Sequence, residues 1–157
     1  MALAAVFEAE FGQRTAATIL ERRVAEGDVG ERAATHAGRI VSAVVAHRDT
    51  IDARIEEVAP AYPVVQIARM DRALLRCGMG ELLHCATTPA RVTISEWVEL
   101  ARTYSGEPTR RLMNGALGQV AKTSDRREGP ERDDASRVGP VGATDTETTA
   151  HTEGLAE

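Results

Sequence analysis

Aromatic side chains are scarce in this chain, with one Trp, two Tyr and two Phe among 157 residues. Sheets rely on β-branched and aromatic residues, whereas an apolar content of 43% rich in alanine suits close-packed helices. Cysteine is nearly absent too. Cys77 and Cys85 fall eight residues apart in one expected helix, about 12 Å along its axis. That is too far for a disulfide, so both read as free thiols. No apolar run approaches the roughly 20 residues of a membrane-spanning helix, and the amino end lacks a secretory pattern, so a cytoplasmic protein is expected. A glycine-rich phosphate loop, a nucleophile elbow and a metalloprotease helix are all missing, which argues against the common enzyme classes. Cys77, His84 and Cys85 share a side of one helix, but structural zinc sites use pairs about two to four residues apart. His36, His47 and His151 supply no second pair, so neither metal nor cofactor is expected.

Charge of one sign is also lacking in the body of the chain. The net charge is −5, but residues 123–157 hold nine acidic and four basic side chains, leaving fifteen of each in residues 1–122. A balanced body does not bind nucleic acid strongly without specificity, because that affinity scales with the phosphates neutralised. Any such contact has to be local or assisted. Residues 123–157 are rich in Thr, Asp, Glu, Gly, Pro and Arg and nearly devoid of large apolar side chains. Burial there cannot repay the entropy of ordering. One domain over residues 1–122 followed by a disordered acidic tail is expected.

What is present is punctuation at regular intervals: Gly12, Gly27-Asp28, Pro60 with Pro63, Thr88-Pro89, and Gly106 with Pro108. These predict helices over 2–11, 15–25, 31–58 with a break near His47 to Thr50, 65–84, 89–104 and 109–121. Thr88 reads as a cap and Pro89 as a first helical residue. Ala37, Ile40, Val41, Val44 and Val45 form a stripe of helical period, as do Leu112, Met113, Ala116, Leu117 and Val120, and both read as core.

The helix over 65–84 is the most informative. At about 100° per residue, Ile67, Met70, Leu74, Leu75, Gly78 and Leu82 share an apolar arc. Arg69, Arg72 and Arg76 stand opposite, spaced three and then four residues apart. Such a row can follow a phosphate backbone, or it can be a solvated face or pair with Glu56 or Glu57. Asp71 and Glu81 fall inside or at the edge of the apolar arc, where a carboxylate needs a partner. Ten helical residues hold them about 15 Å apart, too far for an acid–base dyad. A neighbouring helix end for Glu81 and a partner contact for Asp71 are the expected roles.

Several segments occur in an order that resembles the NusB family of transcription antitermination factors. They are Leu3-Ala4-Ala5-Val6-Phe7-Glu8-Ala9-Glu10, His47-Arg48-Asp49 with Ile51-Asp52, and Asp71-Arg72-Ala73-Leu74-Leu75-Arg76 with Glu81-Leu82-Leu83. Pro89-Ala90-Arg91-Val92-Thr93-Ile94-Ser95-Glu96 and Met113-Asn114-Gly115-Ala116-Leu117 complete the set. The resemblance covers roughly residues 2–122. It implies an all-α bundle of two three-helix halves that binds boxA-type RNA jointly with the ribosomal protein NusE, within the RNA polymerase antitermination complex that acts while ribosomal RNA is made. It also implies that Phe7 is the first-helix aromatic of the RNA surface, Asp71 an acidic partner-binding position, and Leu112 a position near RNA and partner.

This chain departs from the family pattern in four ways. No arginine-rich stretch precedes the first helix, Gly78 and Gly80 replace larger residues, Trp97 replaces a small one, and Leu112 replaces an aromatic. Leucine cannot stack on a base. Two helix-interior glycines cost about 1 kcal/mol each relative to alanine. The expected function is therefore RNA binding through Phe7, Arg69, Arg72, Arg76 and Leu112, with Asp71 recruiting the partner. The alternative is a protein-only adaptor of the same fold that has lost direct RNA binding. A NusB-like domain attached to a ribosomal RNA methyltransferase is a third class, but no cofactor-binding domain follows here.

Overall fold

The computed structural model describes residues 1–27 and 29–128, and every regular element among them is helical. The helices are α1 (Ala2–Ala9), α2 (Ala16–Glu26), α3 (Glu31–Ala46), α4 (Arg48–Val58), α5 (Arg69–His84), α6 (Ala90–Ser105) and α7 (Glu107–Glu128), with a short 3-10 turn over Val64–Gln66. Helices α1, α2 and α3 pack on one another, and so do α5, α6 and α7. These are the two three-helix halves. Helix α4 bridges them, touching α3, α5 and α7. No helix among the described residues is long and apolar enough to cross a membrane.

Local chemistry sets the helix ends. Thr15 caps α2 by accepting a hydrogen bond from the Thr18 amide at 3.2 Å, satisfying one of the free donors of the first turn. The expected break falls at a single residue, His47, which ends α3 and begins α4. Helix α6 begins one residue later than expected, with Pro89 in the cap position and no side-chain cap from Thr88. It ends at Gly106, whose φ of +86° is the left-handed conformation that glycine adopts without strain. Helix α7 then starts at once with Glu107, before Pro108 rather than after it. Pro108 is tolerated because first-turn amides have no intrahelical acceptor. At its other end α7 runs beyond Lys122 to Glu128, through residues expected to be disordered. Thr123 accepts a hydrogen bond there from Arg54 of α4 at 2.6 Å. The rest of the expected acidic tail, 129–157, lies outside the described residues.

Helix α5 is the hub of the fold, packed against α1, α3, α4, α6 and α7. Nine consecutive residues, from Ala73 to Glu81, are buried. A helix buried on all sides has no solvent face to reserve for charge, which bears directly on the arginine row. Its two glycines are placed where neighbours come closest. A Cβ on Gly78 would stand 3.0 Å from the Met113 methyl and 3.2 Å from Leu117 and Trp97. On Gly80 it would stand 3.1 Å from Val44. Close approach of α6 and α7 on one side, and of α3 on the other, offsets the propensity cost of glycine. The large Trp97 fits because Gly78 opposite it is small.

The expected stripes are core with two exceptions. Ala37, Ile40, Val41 and Val44 are buried but Val45 is 54% exposed, and Leu112 is only half-buried beside the buried Met113, Ala116, Leu117 and Val120. Both cysteines are free and buried, and burial pushes the Cys77 thiol well above its ordinary value.

Candidate RNA and partner interface

Arg72 and Arg76 are held in ion pairs at the junction of α1, α4 and α5. Arg76 is 5% exposed and grips Asp52 with both ends of its guanidinium, Nε to Oδ1 at 2.8 Å and Nη2 to Oδ2 at 2.7 Å. Its Nη1 donates to Glu10, at the end of α1. Arg72 donates from Nε to Glu10 Oε2 at 2.9 Å and from Nη1 to the carbonyls of Val64 and Ile67 at 3.3 Å each. Burial works against the Arg76 charge, but hydrogen bonding and attraction to Asp52, with Glu10 adding to them, outweigh it and raise its pKa. Two arginines and two carboxylates thus neutralise one another below the surface.

This corrects the exposed basic row. Of Arg69, Arg72 and Arg76, only Arg69 is exposed. The partners of the other two are Glu10 and Asp52, not Glu56 or Glu57. Glu56 instead accepts from the Val64 amide at 2.9 Å, and Glu57 pairs with Arg54.

Arg69, at the start of α5, reaches toward α1. Its guanidinium lies 4.9 Å from the centroid of Phe11, within cation–π range. Phe11 meets Phe7 edge to face, with centroids 5.4 Å apart and planes at 90°. Phe7 is half-buried, whereas Phe11 is 54% exposed. Phe11 was not singled out from the sequence, although an aromatic just before Gly12 in so aromatic-poor a chain was a readable signal.

Asp71 follows Arg69 by two residues and so points to a different side of α5. It lines a hollow of about 310 Å³ together with Leu112, Tyr62, Pro63, Ile67 and Pro108. Its carboxylate is half-buried, with no ion pair among the described residues. The structure therefore brings Asp71 together with Leu112, and links Phe7 to Arg69 through the Phe11 ring between them, around the amino-terminal end of α5. It does not bring Arg72 and Arg76 to either surface.

Glu81 also differs from expectation. Its partners are side chains rather than a helix end: the Trp97 indole donates to Oε2 at 2.6 Å, and His36 Nε2 lies 3.2 Å from Oε1. This pair closes the floor of a groove of about 660 Å³ between the two halves, lined by Leu3, Phe7, Ile40, Leu100 and Tyr104 among others. Where α3 passes into α4, the ring of His47 stacks on that of His84 at the end of α5, 3.9 Å apart.

Comparison with known proteins supplies a context for this geometry. The model of the NusB family matches residues 1–122. The transcription antitermination protein NusB of Dehalococcoides mccartyi is 35% identical over 120 residues, which cover 76% of this chain and 84% of that protein. Among solved structures, T. maritima NusB superposes with a TM-score of 0.70 at 28% identity, covering 77% of this chain and 85% of that one. A structure of the antitermination factors NusB and NusE in complex with double-stranded RNA superposes with a TM-score of 0.69 at 21% identity, covering 78% of this chain and 91% of that one. At that identity the likeness is one of fold.

Proposed function

This chain belongs to the NusB family, whose named relatives are antitermination proteins rather than enzymes, and on that footing we propose that it binds boxA-type RNA jointly with NusE. It would do so in the cytoplasm, within the RNA polymerase antitermination complex active on ribosomal RNA. The observation that supports this most is the amino-terminal end of α5. There an exposed Arg69 beside two phenylalanines adjoins a hollow holding the unpaired Asp71 and Leu112. The first patch suits RNA, since guanidinium planes and aromatic rings are what unstacked bases and phosphates meet. The second suits a protein partner, because an unpaired carboxylate among apolar side chains favours an incoming donor.

Arg72 and Arg76 enter this reading as positioning residues. They hold the end of α1, and with it Phe7, against α5. With Arg69 the one arginine of that row left open, affinity depends on the partner's own surface, and RNA binding is cooperative with NusE. Fluorescence anisotropy of a labelled boxA-type RNA, with and without NusE, tests this. Tight binding only with both proteins is expected, with a shallow salt dependence because few phosphates are neutralised.

A protein-only adaptor is the second reading. The consumption of Arg72 and Arg76 by Glu10 and Asp52 favours it. It would be established if NusE bound normally and RNA affinity did not change on adding this chain.

A further inference from the structure

We propose that Phe11 is the stacking platform for one unpaired RNA base, and that Gln13 and Arg14 of the following turn hold that nucleotide's edge and phosphate. The inference rests on the RNA-binding reading and adds a subsite to it.

Four observations carry it. Phe11 is 54% exposed in a chain that has few aromatic rings to spare. Its ring is held in place, edge to face with Phe7 and with the Arg69 guanidinium at 4.9 Å, so a base landing on it loses little side-chain entropy. Gly12, at φ +76°, turns the chain immediately after it and leaves the ring at the rim of the helix end. Beside the ring lies a hollow of about 320 Å³ lined by Glu8, Phe11, Gln13, Arg14, Ile19 and Arg22. Arg69 does not line it, so this part of Phe11 is not screened by the guanidinium.

The size and polarity of the hollow select the ligand. Small-molecule sites span roughly 300–1,000 Å³, so this one suits a single planar base rather than a larger group. Glu8, the one acidic residue in the lining, is already neutralised by Arg22 at 2.7 Å and Arg23 at 2.9 Å. Hydrogen bonds from these two arginines, foremost Arg23, hold its carboxyl below the usual range despite the opposing pull of desolvation. Arg22 Nε is buried without a hydrogen-bond partner. Arg14 and Gln13 are exposed, with no ion pair or hydrogen bond among the described residues. A hollow with an aromatic wall, spare arginine donors and an amide that both donates and accepts matches a nucleotide. An apolar peptide would leave those donors unmet.

An abasic scan of boxA-type RNA in the presence of NusE tests the subsite, using the wild-type chain and the Phe11→Leu and Phe11→Trp variants. The expected result is one nucleotide whose base removal costs the wild type about tenfold in affinity, within the range of a single base–aromatic stack. That cost disappears in Phe11→Leu and survives in Phe11→Trp, with the salt dependence unchanged. If Phe11→Leu shows the same abasic profile and affinity as wild type, the subsite is wrong while RNA binding stands. If the wild type binds no RNA with NusE present, both readings fall. If Phe11→Leu weakens NusE binding and leaves RNA affinity intact, Phe11 contacts protein and the subsite is again overturned. Because the ring is mostly exposed, thermal melting of the variants should match wild type, which separates loss of a stack from loss of fold.

Discussion

Arg69 and Arg76 stand two turns apart on the same helix and carry the same charge, yet they occupy opposite environments. Arg69 is exposed, with its guanidinium over the Phe11 ring. Arg76 is closed off between Glu10 and Asp52. Periodicity along α5 cannot separate them, since seven residues return to nearly the same angle. Neighbours separate them. The start of α5 emerges beside the carboxyl-terminal end of α1, while two turns later α1, α3, α4, α6 and α7 have all closed around it. A cation near the start is available to a ligand, and one in the middle becomes part of the scaffold.

The sharpest way to break this contrast is Arg76→Ala. It would leave Glu10 and Asp52 without their shared cation at a buried junction, and a broken buried ion pair costs about 3–5 kcal/mol. Urea denaturation should show that loss, and a variant as stable as wild type would return Arg76 to the surface. Next in size is Trp97→Phe, which removes the indole donor from Glu81. One orphaned buried acceptor costs about 1–3 kcal/mol by the same measurement.

Arg69→Ala should shift the urea transition by no more than about 0.5 kcal/mol, as exposed substitutions usually do. A larger shift would mean that Arg69, too, is structural. The smallest expected effect concerns pH. Burial, and secondarily the charge of His47, lower the His84 pKa below 6.5. As pH falls through 6.5 the unfolded chain therefore takes up this proton first, and the fold loses stability until the lowered value is passed. Above the histidine range the group contributes nothing. Replacing it as His84→Gln should flatten that segment of a stability–pH curve, and an unchanged curve would rule out the stacked histidines as its cause.

Much of the architecture was legible because it is local. The break at His47, the positions of Gly12 and Gly106, and the period of the stripes are properties of short windows, and the helices followed from them, although α5 starts at Arg69 rather than at Val65 and α7 runs seven residues past Ala121 to Glu128. The starts of α6 and α7 shifted because proline at a helix entry fits either the cap or the first turn. Val45 was misplaced because the far edge of an apolar stripe lies over solvent whenever the neighbouring helix is offset.

The candidate interface was legible only in part. Family resemblance pointed to Phe7, Asp71 and Leu112, and the structure sets the last two in one hollow. The arginine row was misjudged because the partners of Arg76 lie 66 and 24 residues away in sequence, on helices whose approach no single-helix projection contains. Glu81 was recognised as needing a partner, but the indole that satisfies it comes from α6, opposite a glycine whose smallness first looked like a cost.

The salt dependence of boxA-type RNA binding, measured with NusE for wild type and Arg69→Ala, tests most directly whether the start of α5 meets RNA. Arg69→Ala is expected to bind more weakly, with a salt slope smaller by about one, the signature of one lost phosphate contact. Identical affinities and slopes for the two proteins would contradict that contact.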